Sequence, residues 1–410
     1  MTLDSLYLAT WFQRTTLHLT EMYHFFDHDF LYLKLPKEDL EASFKKLSVK
    51  SAEFFELNDF DVVKTEFENG LTFTATDDGV MMLRAPVGED LKKARKYLET
   101  FYYEKLGASL SYLFSRGAPL PKQLSTLKEV YPILLVVRDA TDDDITRLFA
   151  EFDEAYDSFV SSPHFQIFFS DTIHIVRVLK NGKRVDEILD DLLRNVVFLR
   201  EFERQLHMYL NLHRTMWDQT SKIRESNTLR YRDFPALRKK IMDALKTLSF
   251  VKARLSQMED INVARRLLVG DDVKEELTAL GLFRFDSVSA DQRYIVDLWE
   301  MTIDYVKRTL DLLESLFQEN TQRELNTLKF FTLIAAITSF FGMNIAFPWD
   351  ASWPVLFPSS FAVVGLVAST CFLFYFVLKG LIYNRYFVIQ EERIEEKKSS
   401  HPTSPEKTKK

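Results

Sequence analysis

Two stretches near the C-terminal end hold no acidic or basic side chain: Phe330–Trp349, 20 residues, and Ala351–Leu378, 28 residues. A helix of roughly 20 apolar residues crosses the hydrocarbon layer of a bilayer, so each run predicts a transmembrane helix. Asp350 separates them, and the segment Ile345–Ser360 carries Pro348, Pro354 and Pro358 but no Lys or Arg. Arg323 and Lys329 precede the first run, and Lys379 and Arg385 follow the second. Basic residues favour the cytoplasmic side, which predicts a short external loop and cytoplasmic N- and C-termini. Thr332, Thr338, Ser339 and Asn344 dilute the first run, so a buried helix of a soluble domain is its alternative.

The remainder has the composition of a globular protein. Of 410 residues 46% are apolar, and the net charge is -7. That balance excludes the basic excess of a nucleic-acid binder. The single cysteine, Cys371, permits no intramolecular disulfide and no cysteine-based zinc site. The segment Met1–Ser5 lacks the basic and apolar regions of a secretory signal, so insertion is expected to use the two C-terminal runs, in the inner or plasma membrane. No HExxH, P-loop, nucleophile elbow or Rossmann glycine pattern occurs, and the chain is not expected to be an enzyme.

Residues 1 to about 175 read as mixed α/β. Glu66–Thr74 alternates around Asn69-Gly70, a hairpin signal. Asp77-Asp78-Gly79 leads into a third strand at Val80–Leu83. Tyr131–Val137, His164–Phe169 and Ile173–Val178 read as further strands, and Thr141–Asp144 as a capping box opening a helix. Long helices follow: about Val185 to Ile223, then from Pro235 to about Val269, where Gly270 interrupts. Ser289 and Gln292 have capping-box spacing and predict the start of a third. Neither Gly nor Pro breaks that helix before Gly342; a rod over 290–341 would measure ~78 Å, more than any bilayer. Its apolar stripe, Ile295, Trp299, Val306, Leu310, Leu313 and Phe317, calls for partner helices and so predicts an oligomer.

At the outer end of the first apolar run stands Phe341-Gly342-Met343-Asn344. An aromatic residue followed by Gly-Met-Asn at that place resembles the signature of the CorA-type divalent-cation transporters, which include magnesium channels and a zinc-transporting branch. The order of parts is similar along the whole chain, whereas residue-level likeness is limited to about Gly342–Asp350. The resemblance implies an α+β cytoplasmic domain, then long helices and two C-terminal transmembrane helices, assembled as a pentameric funnel. Its parts would be a cytoplasmic α/β domain at 1–180, a helical section at 181–288 and a pore-lining helix with the selectivity motif at 289–347. An external loop at 348–358, a second span at 359–382 and a charged tail at 383–410 complete it.

The same resemblance implies a homopentamer that passes Mg2+ or a related divalent cation through a ring of Asn344, with Gly342 and Met343 completing the filter. It places pore-lining positions at Ser339, Ala335, Thr332, Glu324 and Thr321, and gives Asp350 the part of an external cation-gathering acid. These positions are small or polar where magnesium channels carry bulkier apolar gates, the mid-helix proline is absent, and Lys329 stands near the inner interface. Two alternatives therefore stay open: transport of Zn2+, Ni2+ or Co2+, proton-coupled or not, and a membrane-anchored scaffold or sensor that does not conduct. Acid clusters that could hold a regulatory cation are Asp142-Asp143-Asp144, Asp190-Asp191, and Asp271-Asp272 with Glu275-Glu276. Each also fits an ordinary helix start or solvated face. His24 and His28 have the i, i+4 spacing of a metal pair, but the aromatic residues around them read as core. The tail from Asn384 mixes seven Lys/Arg with five Asp/Glu, and its basic residues suit an anionic lipid surface.

Overall fold

The computed structural model describes residues 1–13, 18–29, 37–56, 60–87, 90–115, 132–225, 228–230 and 233–343, together with 370, 373–375, 377 and 386–388. The chain forms two compact units, one of residues 1–215 and 245–303, the other of 216–244 and 304–410.

The first unit is organised around β1 (Thr2–Trp11), buried from Ser5 to Trp11. Side chains on a strand alternate between the two faces of the sheet, and β1 serves a layer with each. Leu6 and Leu8 join a core with Phe25 and Phe26 of α1 (Leu19–Phe26) and Leu40 of α2 (Lys37–Leu47). Trp11 instead packs on Phe198 and Phe202, ring centroids 5.2 Å away in both cases, of α6 (Lys183–Arg224). Both faces are thus covered by helices.

On one side of β1 lie β5 (Val80–Pro86), β4 (Thr72–Thr76), β3 (Val62–Phe67) and the edge strand β2 (Val49–Phe55), each antiparallel to its neighbour. On the other side lies β6 (Ile133–Arg138), which pairs in parallel with β9 (Ile173–Val178); β8 (Phe165–Phe169) and β7 (Ser158–Ser161) follow antiparallel. The expected hairpin at Asn69-Gly70 is present: Gly70 has φ +83° and Asn69 Oδ1 accepts from the Leu71 N–H at 3.2 Å. Between β5 and β6 run α3 (Leu91–Phe101), a π-helical turn (Tyr102–Leu106) and α4 (Gly107–Ser115).

The expected capping box opens α5 (Asp142–Glu151): the Asp144 N–H donates to Thr141 Oγ1 at 3.2 Å, and Asp144 Oδ2 accepts from the Thr141 N–H at 2.9 Å. α7 (Phe234–Leu268) begins with Pro235 in its first turn, where a missing N–H is harmless. α8 (Asp271–Ala279) follows Gly270, as its acids suggested. The last long helix, α9 (Phe285–Met343), has 59 residues, or ~88 Å at helical rise. It starts four residues before the Ser289 cap read from the sequence. Ser289 Oγ accepts from Asn262 Nδ2 at 2.7 Å, and the Gln292 amide donates to the Leu255 carbonyl. Both polar groups bridge to α7 instead of capping.

The stripe on α9 is covered by the same chain. Within the first unit, Trp299 is buried with its ring edge-on to His213. Within the second, Val306 and Leu313 are buried, Trp217 stacks on Tyr305 at 4.5 Å and Phe234 on Phe317 at 4.4 Å. α6 and α7 supply helices that meet this stripe, so the stripe does not by itself call for a second subunit. In the second unit β10 (Thr228–Arg230) pairs antiparallel with β11 (Tyr386–Val388). Among the described residues no helix is long and apolar enough to cross a membrane; most of the two apolar runs lies outside them.

Candidate functional site

α9 runs unbroken to Met343, so Gly342 and Met343 form its last turn. Asn344 and Asp350 lie outside the described residues. Helical geometry, about 100° per residue, fixes what shares a face above the packed part of α9. Thr321, Glu324, Thr332, Ala335, Ser339 and Gly342 all fall within an arc of about 80°. Phe330, Leu333, Ile337 and Phe341 fall on the opposite side of the helix, again by that ~100° step. From Thr332 on, α9 thus places small and polar positions in that arc, whereas below it Leu328 falls in the middle of the same arc.

The described side chains agree with that division. Thr332 and Ala335 are exposed, and Thr321 and Glu324 half-buried. Thr321 Oγ1 donates to the Phe317 carbonyl at 3.0 Å and Thr332 Oγ1 to that of Leu328 at 2.9 Å. These back-bonds satisfy both hydroxyl protons while leaving oxygen lone pairs able to accept from water. Phe330 and Leu333 are 60% and 58% exposed, a density of uncovered apolar surface that water disfavours. The Phe331 ring is edge-on to Phe374, centroids 5.9 Å apart, which brings part of the second apolar run beside the first.

Several of the acids read as regulatory sites are paired with arginines. Asp142 Oδ1 lies 2.7 Å from Arg177, and Asp272 Oδ1 lies 2.5 Å from Arg184. Asp143 and Asp271 are exposed at the first turns of α5 and α8. Asp191 pairs with Arg194 at 3.1 Å. Glu276 is buried, accepting from Ser162 Oγ at 2.6 Å and pairing with His164. His24 lies within α1 and 3.6 Å from Asp29, whereas His28 sits past the helix end at φ +60°. The two histidines therefore do not share a helix face. Among the described residues no group of three His, Cys, Asp or Glu could hold a metal ion.

One polar cluster escaped the reading of the sequence. Arg265 on α7 is buried; its Nε donates to Asp78 Oδ2 at 2.5 Å and its Nη1 to Asn195 Oδ1 at 3.1 Å. Asp78 belongs to the β4–β5 turn and Asn195 to α6, so a single guanidinium ties the sheet to two helices of the first unit. Asp77-Asp78-Gly79 carried a turn signal, but nothing in the sequence marks Arg265 among its neighbours.

No family model matches the chain, and no curated protein matches it. Solved structures do. The complete CorA magnesium transporter from Methanocaldococcus jannaschii is 14% identical, with a TM-score of 0.28 over 62% of this chain and 92% of that one. The full-length CmaX protein is 14% identical, with a TM-score of 0.27 over 63% and 92%. The soluble domain of CorA from the same archaeon is 12% identical, with a TM-score of 0.21 over 45% and 88%. Likeness at this level carries no argument about what this chain does.

Proposed function

We propose that this chain is one subunit of a homopentameric divalent-cation channel of the inner or plasma membrane, with Mg2+ as its cargo. The carrying observation is the end of α9: over Thr332–Gly342 small and polar positions share one face of the helix, Phe330, Leu333, Ile337 and Phe341 fall on the other, and the helix reaches Met343 of the Gly342-Met343-Asn344 motif. Five such helices would turn the first face toward a water-filled path and the second toward lipid or the neighbouring span. Both termini would lie in the cytoplasm and the segment with Asp350 outside.

The chemistry of the asparagine suits the cargo. Magnesium gives up its waters reluctantly and keeps octahedral oxygen coordination. A ring of neutral Asn344 amide oxygens accepts hydrogen bonds from those waters without stripping them. A carboxylate ring there would hold the ion more tightly and slow its exit, whereas conduction needs binding weak enough to leave. The absence of a metal cage among the described residues concerns a resident ion, not this hydrated passage.

The test is Mg2+ flux into liposomes holding the full chain, wild-type against Asn344→Ala, with assembly checked by size-exclusion chromatography. Flux is expected to be lost while assembly is kept; unchanged flux in the variant refutes the filter. The small, polar face at Thr332 and Ala335 favours Zn2+, Ni2+ or Co2+ as the second reading. Competition among these ions, with and without a pH gradient, separates it from the first. A wild-type chain that assembles and passes none of them is a scaffold or sensor.

A further inference from the structure

Three glycines of this chain follow a residue whose side chain can react with them: Asn69-Gly70, Asp78-Gly79 and Asn181-Gly182. The reaction needs no enzyme. The backbone nitrogen of the glycine attacks the side-chain carbonyl carbon of the residue before it, and a glycine, lacking Cβ, leaves that approach open. With asparagine, a bond forms from that nitrogen to Cγ and the bond from Cγ to the side-chain nitrogen breaks. Ammonia leaves, carrying the proton that the backbone nitrogen gives up. Water then opens the cyclic imide at either of its carbonyls and yields aspartate or isoaspartate. The attack requires a backbone N–H that is not held elsewhere.

The fold holds two of the three glycines. The Gly70 N–H donates to the Phe67 carbonyl at 3.0 Å, in a turn that the Phe67 N–H closes on the Leu71 carbonyl at 3.0 Å. The Gly79 N–H donates to the Thr76 carbonyl at 3.0 Å, and the buried Asp78 carboxylate is taken by Thr76 and Arg265. Gly182 differs. Among the described residues its N–H makes no hydrogen bond, and a Cβ built there would meet nothing within 4 Å. Asn181 and Gly182 are exposed, but so are Asn69 and Gly70. Hydrogen bonding, and not exposure, sets the two asparagines apart.

Asn181 also faces a cation. Arg138 Nη1 donates to Asn181 Oδ1 at 3.1 Å, while its Nη2 lies 3.2 Å from Asp4 and 2.7 Å from Asp186. The two carboxylates fix the guanidinium, which points at the oxygen where negative charge grows as the glycine nitrogen attacks. Asn69 Oδ1 accepts only from the neutral Leu71 N–H, and a charge-assisted bond is roughly twice as strong as a neutral one.

We propose that Asn181 is a self-modifying site, which closes a cyclic imide on the Gly182 nitrogen and opens to aspartate and isoaspartate, with Arg138 stabilising the attack. The conversion places a new carboxylate beside Arg138. Isoaspartate also lengthens the main chain by a methylene group between β9 and α6, the helix whose Phe198 and Phe202 pack on Trp11.

The test is mass spectrometry on the full chain held folded at mildly alkaline pH and then digested with pepsin in acid, where the reaction stops. The digest is separated so that aspartate and isoaspartate peptides of equal mass resolve. The Asn181 peptide is expected to convert faster than the Asn69 peptide by on the order of tenfold, since the Gly70 N–H must first give up its hydrogen bond. In the denatured chain the two should convert alike. Gly182→Ala fits the open space at that position, so it is expected to slow conversion severalfold without moving the thermal midpoint. Arg138→Gln should slow conversion in the folded chain and leave it unchanged in the denatured one. Equal rates at Asn69 and Asn181 in the folded chain, no conversion at Asn181, or a wild-type rate in Gly182→Ala overturns the proposal. Aspartate without isoaspartate does so too, because direct hydrolysis by water gives aspartate alone. A rate unchanged or raised in folded Arg138→Gln overturns the part given to the guanidinium.

Discussion

Removing the carboxylate of Asp78 leaves a buried guanidinium without its counter-ion. The side chains of Arg265 and Asp78 are 1% and 5% exposed. Around them, Thr76 Oγ1 donates to Asp78 Oδ1 at 2.5 Å, Trp11 Nε1 donates to the Asp78 carbonyl at 2.8 Å, and Phe198 and Phe60 lie 4.7 and 4.9 Å from the guanidinium carbon. Water cannot replace the lost partner in that setting, and breaking a buried pair from one side costs about 3–5 kcal/mol. For a unit of this size that lowers the thermal midpoint by on the order of 10 °C. Arg265→Met alone strands the aspartate at a similar cost. Joining Arg265→Met to Asp78→Ala removes both charges, and its loss should fall well short of the sum of the single losses. The measurement is differential scanning fluorimetry of the purified full chain for wild-type, both single variants and the double. A loss under ~1 kcal/mol for Asp78→Ala, or additive losses in the double, would show that the pair does not bind the sheet to its helices.

Two further predictions concern the same unit. His174 is buried within β9, and burial, reinforced by the Arg200 charge, lowers its pKa to about 4. The unfolded chain therefore binds a proton that the folded one refuses between about pH 6.5 and 4. Stability attributable to His174 is complete above that window and declines as pH falls through it, by ~3 kcal/mol at the bottom. His174→Phe should flatten this part of a midpoint-against-pH curve, and an unchanged slope refutes the assignment. Gly79 has φ +98°, and a Cβ built there would lie 2.1 Å from the Phe12 carbonyl oxygen. That oxygen is backbone, so Gly79→Ala must distort the turn and is expected to cost at least ~2 kcal/mol; a midpoint equal to wild-type sinks the argument.

What the sequence could reveal divides along chemical lines. Local signals were legible because their physics is local: Asn69-Gly70 turns a hairpin, Thr141 and Asp144 bond across one helical turn, and Gly270 separates two helices. β1 was not legible as the central strand. Its partners are Val80–Pro86 and Ile133–Arg138, and no feature within Thr2–Trp11 names strands so far along the chain. The start of α9 failed for a related reason: Ser289 and Gln292 have cap spacing, but Asn262 and Leu255 compete for them from another helix.

The candidate site lies between these cases. Gly342-Met343-Asn344 is a short motif, and a short motif acquires meaning only from what precedes it. The sequence supplied an unbroken helical pattern, and α9 supplies its consequence: a helix that extends through Met343 and holds Thr332, Ala335 and Ser339 in one row below the motif. A helical period of 3.6 residues could not by itself say which side of that row meets water. The buried stripe of α9, Trp299, Val306 and Leu313, runs in line with Ala335 and Gly342, so the row continues the packed face beyond Asn320. Beyond that point Leu325, Leu328, Phe330 and Leu333 are exposed. The edge-on Phe331–Phe374 contact brings the second apolar run against α9 there. By helical geometry Phe331 stands about 40° from Ala335 and about 160° from Leu333, so the second run meets α9 at the border of the row and not behind it.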